Sequence, residues 1–337
     1  MRQWKRIVRC RTFLSTEADM RIALNGWFWD QPGTGSGQVL HGLVRWLPRV
    51  SDDDRWLIVP SRIAIAAEPA GWRVLRLDTP FDRRWPNLAK VWFEQIAFPL
   101  ACRRIGAQVA HIPYWGSPWW RPCKIVVTVH DLIPLLLPEY RGGPLQRVYT
   151  ALVARTARRA HLLLTDSDAS RQDILAHLRV EPDRVRTVPL AVDEAVRVPV
   201  TAEDVDRVRS RYNLPPRYLL YFGGFDVRKN VPRLLEAYAR LVQAGRHRGV
   251  PLVIAGRLPR EDTSFTPDPV RIARELGVEQ WVYFAGWVAD EDKAALYALA
   301  EALVFVPTYE GFGLPALEAM SVCRAQEGPS LKQEDQG

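Results

Sequence analysis

The chain has 337 residues, 47% of them hydrophobic and 25% charged, with 46 basic residues against 38 acidic ones and a net charge of +8. That is enough chain for two domains with separate cores, and too apolar a chain for a disordered one. No run of eighteen apolar residues would span a membrane, and the first nineteen residues lack the apolar stretch of a secretory leader. The arginines are scattered, without a zinc-finger, RNA-binding or basic-heptad pattern, so nucleic acid is not the expected partner. A basic chain still suits an anionic membrane face or a phosphorylated ligand. Cys10, Cys102, Cys123 and Cys323 show neither CxxC nor metal-ligand spacing, which fits reduced thiols in a cytoplasm.

In chain order, residues 1–19 read as an extension ahead of "MRIALNGWFW", where Met20 is an alternative start. Short β-rich runs then alternate with helix-length segments. Strands are expected at 21–24, 56–59, 74–77, 109–112, 125–129 and 162–164, then at 218–222, 252–255, 282–284 and 303–306. Near-continuous apolar strands between amphipathic helices mean parallel sheets covered on both faces. Val231, Leu234, Leu235, Tyr238, Leu241 and Val242 keep helical spacing and supply one such cover. The polar, proline-containing stretch 196–216 reads as a linker. The expected class is therefore α/β, with doubly wound domains at 20–195 and 217–320. In such sheets ligands sit at the carboxyl ends of the strands.

Four loops at those ends carry polar chemistry. "QPGTGSGQ" (31–38) precedes a helix; it is either a plain turn or a backbone that approaches an anion at the helix start. It lacks the G-x-G-x-x-G spacing and later acid of a dinucleotide site, which counts against a dehydrogenase. "VTVHDLIP" sets His130 and Asp131 just beyond a strand, for a core hydrogen bond or for a group that titrates near neutrality. In "YFGGFDVRKN", Arg228 and Lys229 stand ahead of a helix whose N-cap is read as Asn230. Two cations there oppose the helix dipole, and a bound phosphate would turn that cost into a gain. In "EGFGLPALE", Pro315 suits a first helical turn. Glu318 is expected in that turn, where an acid also offsets the dipole. Glu310 sits in the loop without that reason. Carboxylates accept well from the vicinal hydroxyls of a ribose or hexose. Acids for hydroxyls and cations for phosphates describe a nucleotide-sugar site.

Over residues 20–320 the sequence resembles the retaining glycosyltransferases of family GT4, with the two-domain GT-B fold. The resemblance rests on Glu310, seven residues, then Glu318. It rests also on the order of "GTGSG", "WFEQIAFP", "HIPYWGSP", "VTVHDLIP", "TDSDASRQDI", "VPLAVD", "YFGGFDVRKN" and "VIAG". It implies that Glu318 binds the ribose, and that Glu310 with the backbone of Phe312, Gly313 and Leu314 holds the sugar and its phosphates. Arg228 and Lys229 would neutralise the leaving pyrophosphate, so that no metal or other cofactor is required. Gly35 and Gly37 would approach the donor from the first, acceptor-side domain, and His130 would lie beside the donor sugar. The implied donor is a nucleotide sugar, GDP-mannose or a UDP-hexose. The implied acceptor is a saccharide or glycolipid in surface-polysaccharide synthesis, met in the cytoplasm at the inner face of a membrane through a peripheral contact. Many relatives carry arginine where Gly224 stands. Relatives also continue past "EAM" with further elements, whereas here residues 321–337 turn polar. They read as a disordered tail after an incomplete second domain. The alternative expectation is thus an inactive, truncated fragment that binds nucleotide or a partner without turnover.

Overall fold

The computed structural model describes residues 20–81 and 84–326, so the expectations for 1–19 and 327–337 lie outside the described residues. Among those described, the strands are β1 (Arg21–Asn25), β2 (Asp54–Pro60), β3 (Arg73–Leu77), β4 (Val109–Ile112), β5 (Lys124–Thr128), β6 (Leu162–Thr165) and β7 (Val185–Thr187). They continue with β8 (Leu219–Phe222), β9 (Leu252–Ala255), β10 (Val282–Gly286) and β11 (Ala302–Leu303). The helices are α1 (Gly35–Trp46), α2 (Pro86–Trp92), α3 (Phe98–Arg104), α4 (Ile133–Leu136), α5 (Pro144–Ala157), α6 (Asp168–Leu178) and α7 (Ala202–Arg211). After these come α8 (Val231–Gln243), α9 (Pro269–Glu275), α10 (Lys293–Leu299) and α11 (Leu314–Gln326).

The chain divides into two units. The first holds a seven-stranded sheet of order β3-β2-β1-β4-β5-β6-β7, and the second a four-stranded sheet of order β10-β9-β8-β11. All pairings are parallel. Parallel sheets need helical crossovers, and both faces are then covered. That is why Leu57, Ile58 and Val59 run consecutively buried along β2, and all of Leu252–Ala255 along β9. Each sheet changes direction once: between β1 and β4 in the first, between β8 and β11 in the second. Loops leaving those pairs are where a doubly wound sheet opens a crevice.

Helix α8 buries Val231, Leu234, Leu235 and Tyr238 on one face, with Pro232 in its first turn; of the two further residues expected on that face, Val242 packs partly buried against the core while Leu241 stays 39% exposed. Three expectations need correction. The stretch expected as a linker at 196–216 contains α7, whose Thr201 and Asp204 form a reciprocal capping box. Val196, Val208 and Leu214 from that stretch enter the core of the second unit, which takes the chain from Val188 onward. Asp292, fully buried, anchors α7 there through Arg207, Arg211 and Tyr212. Burial works to raise its pKa, but the Tyr212 hydroxyl and the two guanidiniums hold it below the usual carboxylate value. The strand expected at 303–306 is Ala302–Leu303; Val304 still donates to the Leu220 carbonyl at 2.7 Å before the chain leaves the ladder. The tail expected from residue 321 begins as helix, because α11 continues through Gln326.

Candidate functional site

In the second unit the loops leaving β8 and β11 are laced together. Thr308 donates its amide to the Arg228 carbonyl at 2.8 Å, and Asn230 Nδ2 donates to the Val306 carbonyl at 3.1 Å. Asn230 occupies the N-cap position of α8 as expected, but in the left-handed region at φ 60°, and its side chain does not cap the helix. It fastens one loop to the other instead.

This lacing brings Arg228, Lys229 and Glu310 together. Glu310 Oε2 accepts from Arg228 Nη1 at 2.6 Å and from Lys229 Nζ at 2.7 Å. Arg228 also donates to the Tyr309 carbonyl at 3.1 Å and faces Asp226 Oδ1 at 3.5 Å. Tyr140 donates its hydroxyl to the same carboxylate and packs edge-on against Phe265. Burial works against the Arg228 charge, but Glu310 and Asp226 outweigh it and raise its pKa above the ordinary guanidinium value. Two sequence expectations change. The cations at the helix start are not left uncompensated, since Asp226 and Glu310 balance them. Glu310 has a structural reason for its place, because it closes the ion cluster. The cluster remains reachable by solvent, with side-chain exposures of 12% for Arg228, 16% for Lys229 and 24% for Glu310.

Beyond Glu310 the chain turns sharply. Gly311 offers its carbonyl to Ser167 Oγ at 2.6 Å and Ser170 Oγ at 3.2 Å, which gives the "TDSDASRQDI" stretch a role in holding this loop. Gly313 stands at φ +93°, a conformation that glycine adopts without steric cost. Its carbonyl receives the amides of Ala316 and Leu317 as α11 begins; Phe312 and Leu314 flank it, half-buried. Glu318 lies one turn deeper than expected, outside the first turn of α11, so a dipole role is weaker there. It is nearly buried and accepts from the Tyr297 hydroxyl at 2.7 Å. Burial raises its pKa, with Tyr297 and Lys293 pulling the other way.

In the first unit, Gly35 opens α1 with free space where a side chain would be. At Gly37 a Cβ would come within 1.9 Å of the Gln31 carbonyl oxygen, so packing already accounts for that glycine. The Gly37 amide donates to the capping Thr34 hydroxyl at 3.1 Å. His130 follows β5 by two residues, as expected, with Nε2 at 3.2 Å from the Pro113 carbonyl. It also bears on His111, whose pKa burial pushes down to about 4, aided by the His130 charge.

A second polar cluster sits at the β1/β4 reversal and was not singled out from sequence. Asn25 ends β1; its Oδ1 accepts from the Trp27 amide at 3.0 Å and the Tyr114 hydroxyl at 3.2 Å, while its buried Nδ2 has no partner. Those two donors fix the amide's orientation, because a backbone N–H can only donate. Next to it Glu94, fully buried in a π-helical turn (Phe93–Ala97), accepts from the Tyr149 hydroxyl at 3.0 Å and lies 3.8 Å from Lys90 Nζ. Single π turns recur at functional sites. The available signal was an acid on the buried face of "KVWFEQIAFP".

Burial raises the Glu94 carboxyl to about 7, against the pull of Lys90 and the tyrosines. A folded-state pKa above the unfolded value means that the folded protein holds this proton more tightly. The resulting stability is full below the unfolded value of 4.5 and is lost as pH rises through about 7. The parent should therefore lose on the order of 3 kcal/mol between pH 4.5 and pH 8. Glu94→Gln should lose little of that over the same window. Urea melts at the two pH values check this, and equal losses in both proteins would refute it.

Residues 203–324 match the family model for Glycosyl transferases group 1, and residues 33–196 match that for Glycosyltransferase Family 4. The serotype-specific mannosyltransferase WbdA of Escherichia coli is 32% identical over 223 residues, 65% of this chain and 26% of that protein. The O-antigen chain mannosyltransferase B of Escherichia coli is 35% identical over 212 residues, 62% of this chain and 54% of that protein. The chain thus spans about a quarter and about half of these two relatives. Sucrose-phosphate synthase from Thermosynechococcus elongatus superposes with a TM-score of 0.66 at 20% identity, covering 89% of this chain and 79% of that one.

Proposed function

Because the chain belongs to the family 4 glycosyltransferases and has the GT-B fold, we propose that it moves a hexose from a nucleotide sugar to a saccharide or glycolipid acceptor. The observation that carries this is the pairing of Arg228 and Lys229 with Glu310 at the reversal of the second sheet. It sets two cations around one exchangeable carboxylate at the carboxyl ends of the strands, where a doubly wound sheet binds its ligand and where a diphosphate would suit the cations. Both Escherichia coli relatives are mannosyltransferases, which favours mannose from GDP-mannose over a UDP-hexose. The O-antigen relative favours surface polysaccharide as the product.

In this reading the diphosphate takes Arg228 and Lys229, and charge developing on the leaving group meets cations already in place. Glu310, released from them, takes hydroxyls of the transferred sugar, with the backbone of Phe312, Gly313 and Leu314 beside it. Glu318 exchanges its Tyr297 partner for the ribose. Gly35 and Gly37 supply the helix start of the first unit, and His130 stands by the sugar. The Asn25–Glu94 cluster is the acceptor side. Transfer proceeds with retention, at the inner face of a membrane.

The test is a melting screen with GDP, UDP and their sugars, followed by transfer assays with those that shift the transition. A shift by one nucleotide and its sugar, with turnover, supports the proposal; a shift without turnover supports a binding-only chain, and no shift refutes both. Glu318→Gln should reduce the shifts by bare nucleotide and by nucleotide sugar alike, since the ribose is common to the two. A loss confined to the nucleotide sugar would move Glu318 away from the ribose.

A further inference from the structure

Three segments of the first unit lie side by side: residues 86–104 (α2, the π turn and α3), the loop 117–121, and α5. Gln95 joins the first two, its Oε1 accepting the Trp119 amide at 2.9 Å and its Nε2 donating to the Ser117 carbonyl at 3.0 Å. The Tyr149–Glu94 hydrogen bonds join the first to the third. These segments expose Ile96, Leu100, Trp119, Trp120, Leu145 and Val148, with Leu145 87% and Val148 67% accessible. Arginines are set among the rings. Arg155 and Arg159 lie over Trp119 at 5.5 and 4.7 Å, and Arg103 lies over Trp120 at 5.9 Å. Acidic residues fill 38 of the 337 positions in the chain. The three segments hold a single one, Glu94, and it is fully buried.

We infer that this face docks on the headgroup layer of an anionic lipid bilayer. A protein partner would want an apolar centre with its charges at the rim; here each exposed tryptophan has an arginine against it. A nucleic acid would gain nothing from a leucine and a valine held out in solvent. A bilayer surface uses every part. Tryptophan rings settle at headgroup depth, and the aliphatic side chains enter just below. Arginine stems lie along the apolar layer while their guanidiniums meet lipid phosphates. Helices with such a face lie in the plane of the interface, and no helix among the described residues is long and apolar enough to cross a membrane. The inference deepens the proposed function by naming the surface that meets the membrane, and it rests on that reading only for why a transferase would need one.

Sedimentation of the full chain with phosphatidylcholine vesicles, with and without phosphatidylglycerol, tests it. Binding should require the anionic lipid and weaken with salt. The Trp119→Ser/Trp120→Ser and Arg155→Glu/Arg159→Glu variants should each lower partitioning by roughly tenfold or more. Nucleotide-induced melting shifts should stay as in the parent. Should the tryptophan variant fail to fold, Leu145→Ser/Val148→Ser carries the same expectation. Absence of vesicle binding, or variants that bind as the parent does, would overturn the inference. So would a dimer that the same variants dissociate in the absence of vesicle binding, which would give the face to a second copy. A parent that binds vesicles but shows no nucleotide shift would count against the transferase reading and leave this surface standing.

Discussion

Glu310→Gln is expected to tighten bare GDP or UDP by about tenfold while transfer falls by roughly a hundredfold or more. The opposite signs follow from one contact. Glu310 Oε2 sits between Arg228 Nη1 and Lys229 Nζ, where the proposed function puts the oxygens of a diphosphate. On that proposal a nucleotide exchanges with the carboxylate instead of filling open space. An amide gives up the charge that makes those contacts strong, so the phosphate meets less competition. The same amide is a poorer acceptor for sugar hydroxyls, and turnover suffers. Lys229→Ala removes a proposed partner of the phosphate itself and should weaken bare nucleotide by about tenfold. Calorimetry with bare nucleotide separates the two variants. If both lose affinity equally with folding intact, Glu310 does not compete with the phosphate.

The sequence carried the frame of this site but not its closure. Parallel strands such as β2 and β9 were legible because burial on both faces demands an unbroken apolar run. Strand β7, Val185–Thr187, was not: three residues with an arginine between them carry no period, and only pairing with Leu163, Leu164 and Thr165 makes them a strand. Helix α7 read as a linker because its polar surface hides one buried contact, Val208. Its Thr201–Asp204 cap was the local signal that marked it. Arg228 and Lys229 were legible as cations at a helix start. Their pairing with Glu310, some eighty residues away, depends on which loops the β8/β11 reversal brings together, and no local spacing encodes that. Glu94 was hidden for the opposite reason. A single acid within an apolar helical run is easily placed on the solvated side, and only the fold shows it between Lys90 and Tyr149.

Gly256→Ala should unfold the second unit at a temperature lower by about 6 to 12 °C, the equivalent of roughly 3 kcal/mol. Gly256 follows β9 at φ +148°, and a Cβ there would come within 2.0 Å of the Gly223 carbonyl oxygen and 3.2 Å of Phe225. Neither neighbour can step aside cheaply. The Gly223 amide is bonded to the Ala255 carbonyl at 3.0 Å, and the Gly256 amide to that of Gly286 at 2.7 Å, so the obstruction is backbone pinned in place. Gly223 also begins the loop that leads to Arg228 and Lys229. Any relief of the clash would therefore move the cations as well as strain the sheet, and nucleotide affinity should fall with stability. Gly224, one residue further along, supplies the contrast. A Cβ there would sit 3.5 Å from Asp226 Oδ2, an ordinary contact, which fits the larger residue that the family resemblance expects at this position. Gly224→Ala should leave the melting temperature within about 2 °C of the parent. Thermal unfolding followed by circular dichroism checks both variants together. Similar transitions for the two would show that the Gly256 contact with Gly223 does not limit this part of the fold.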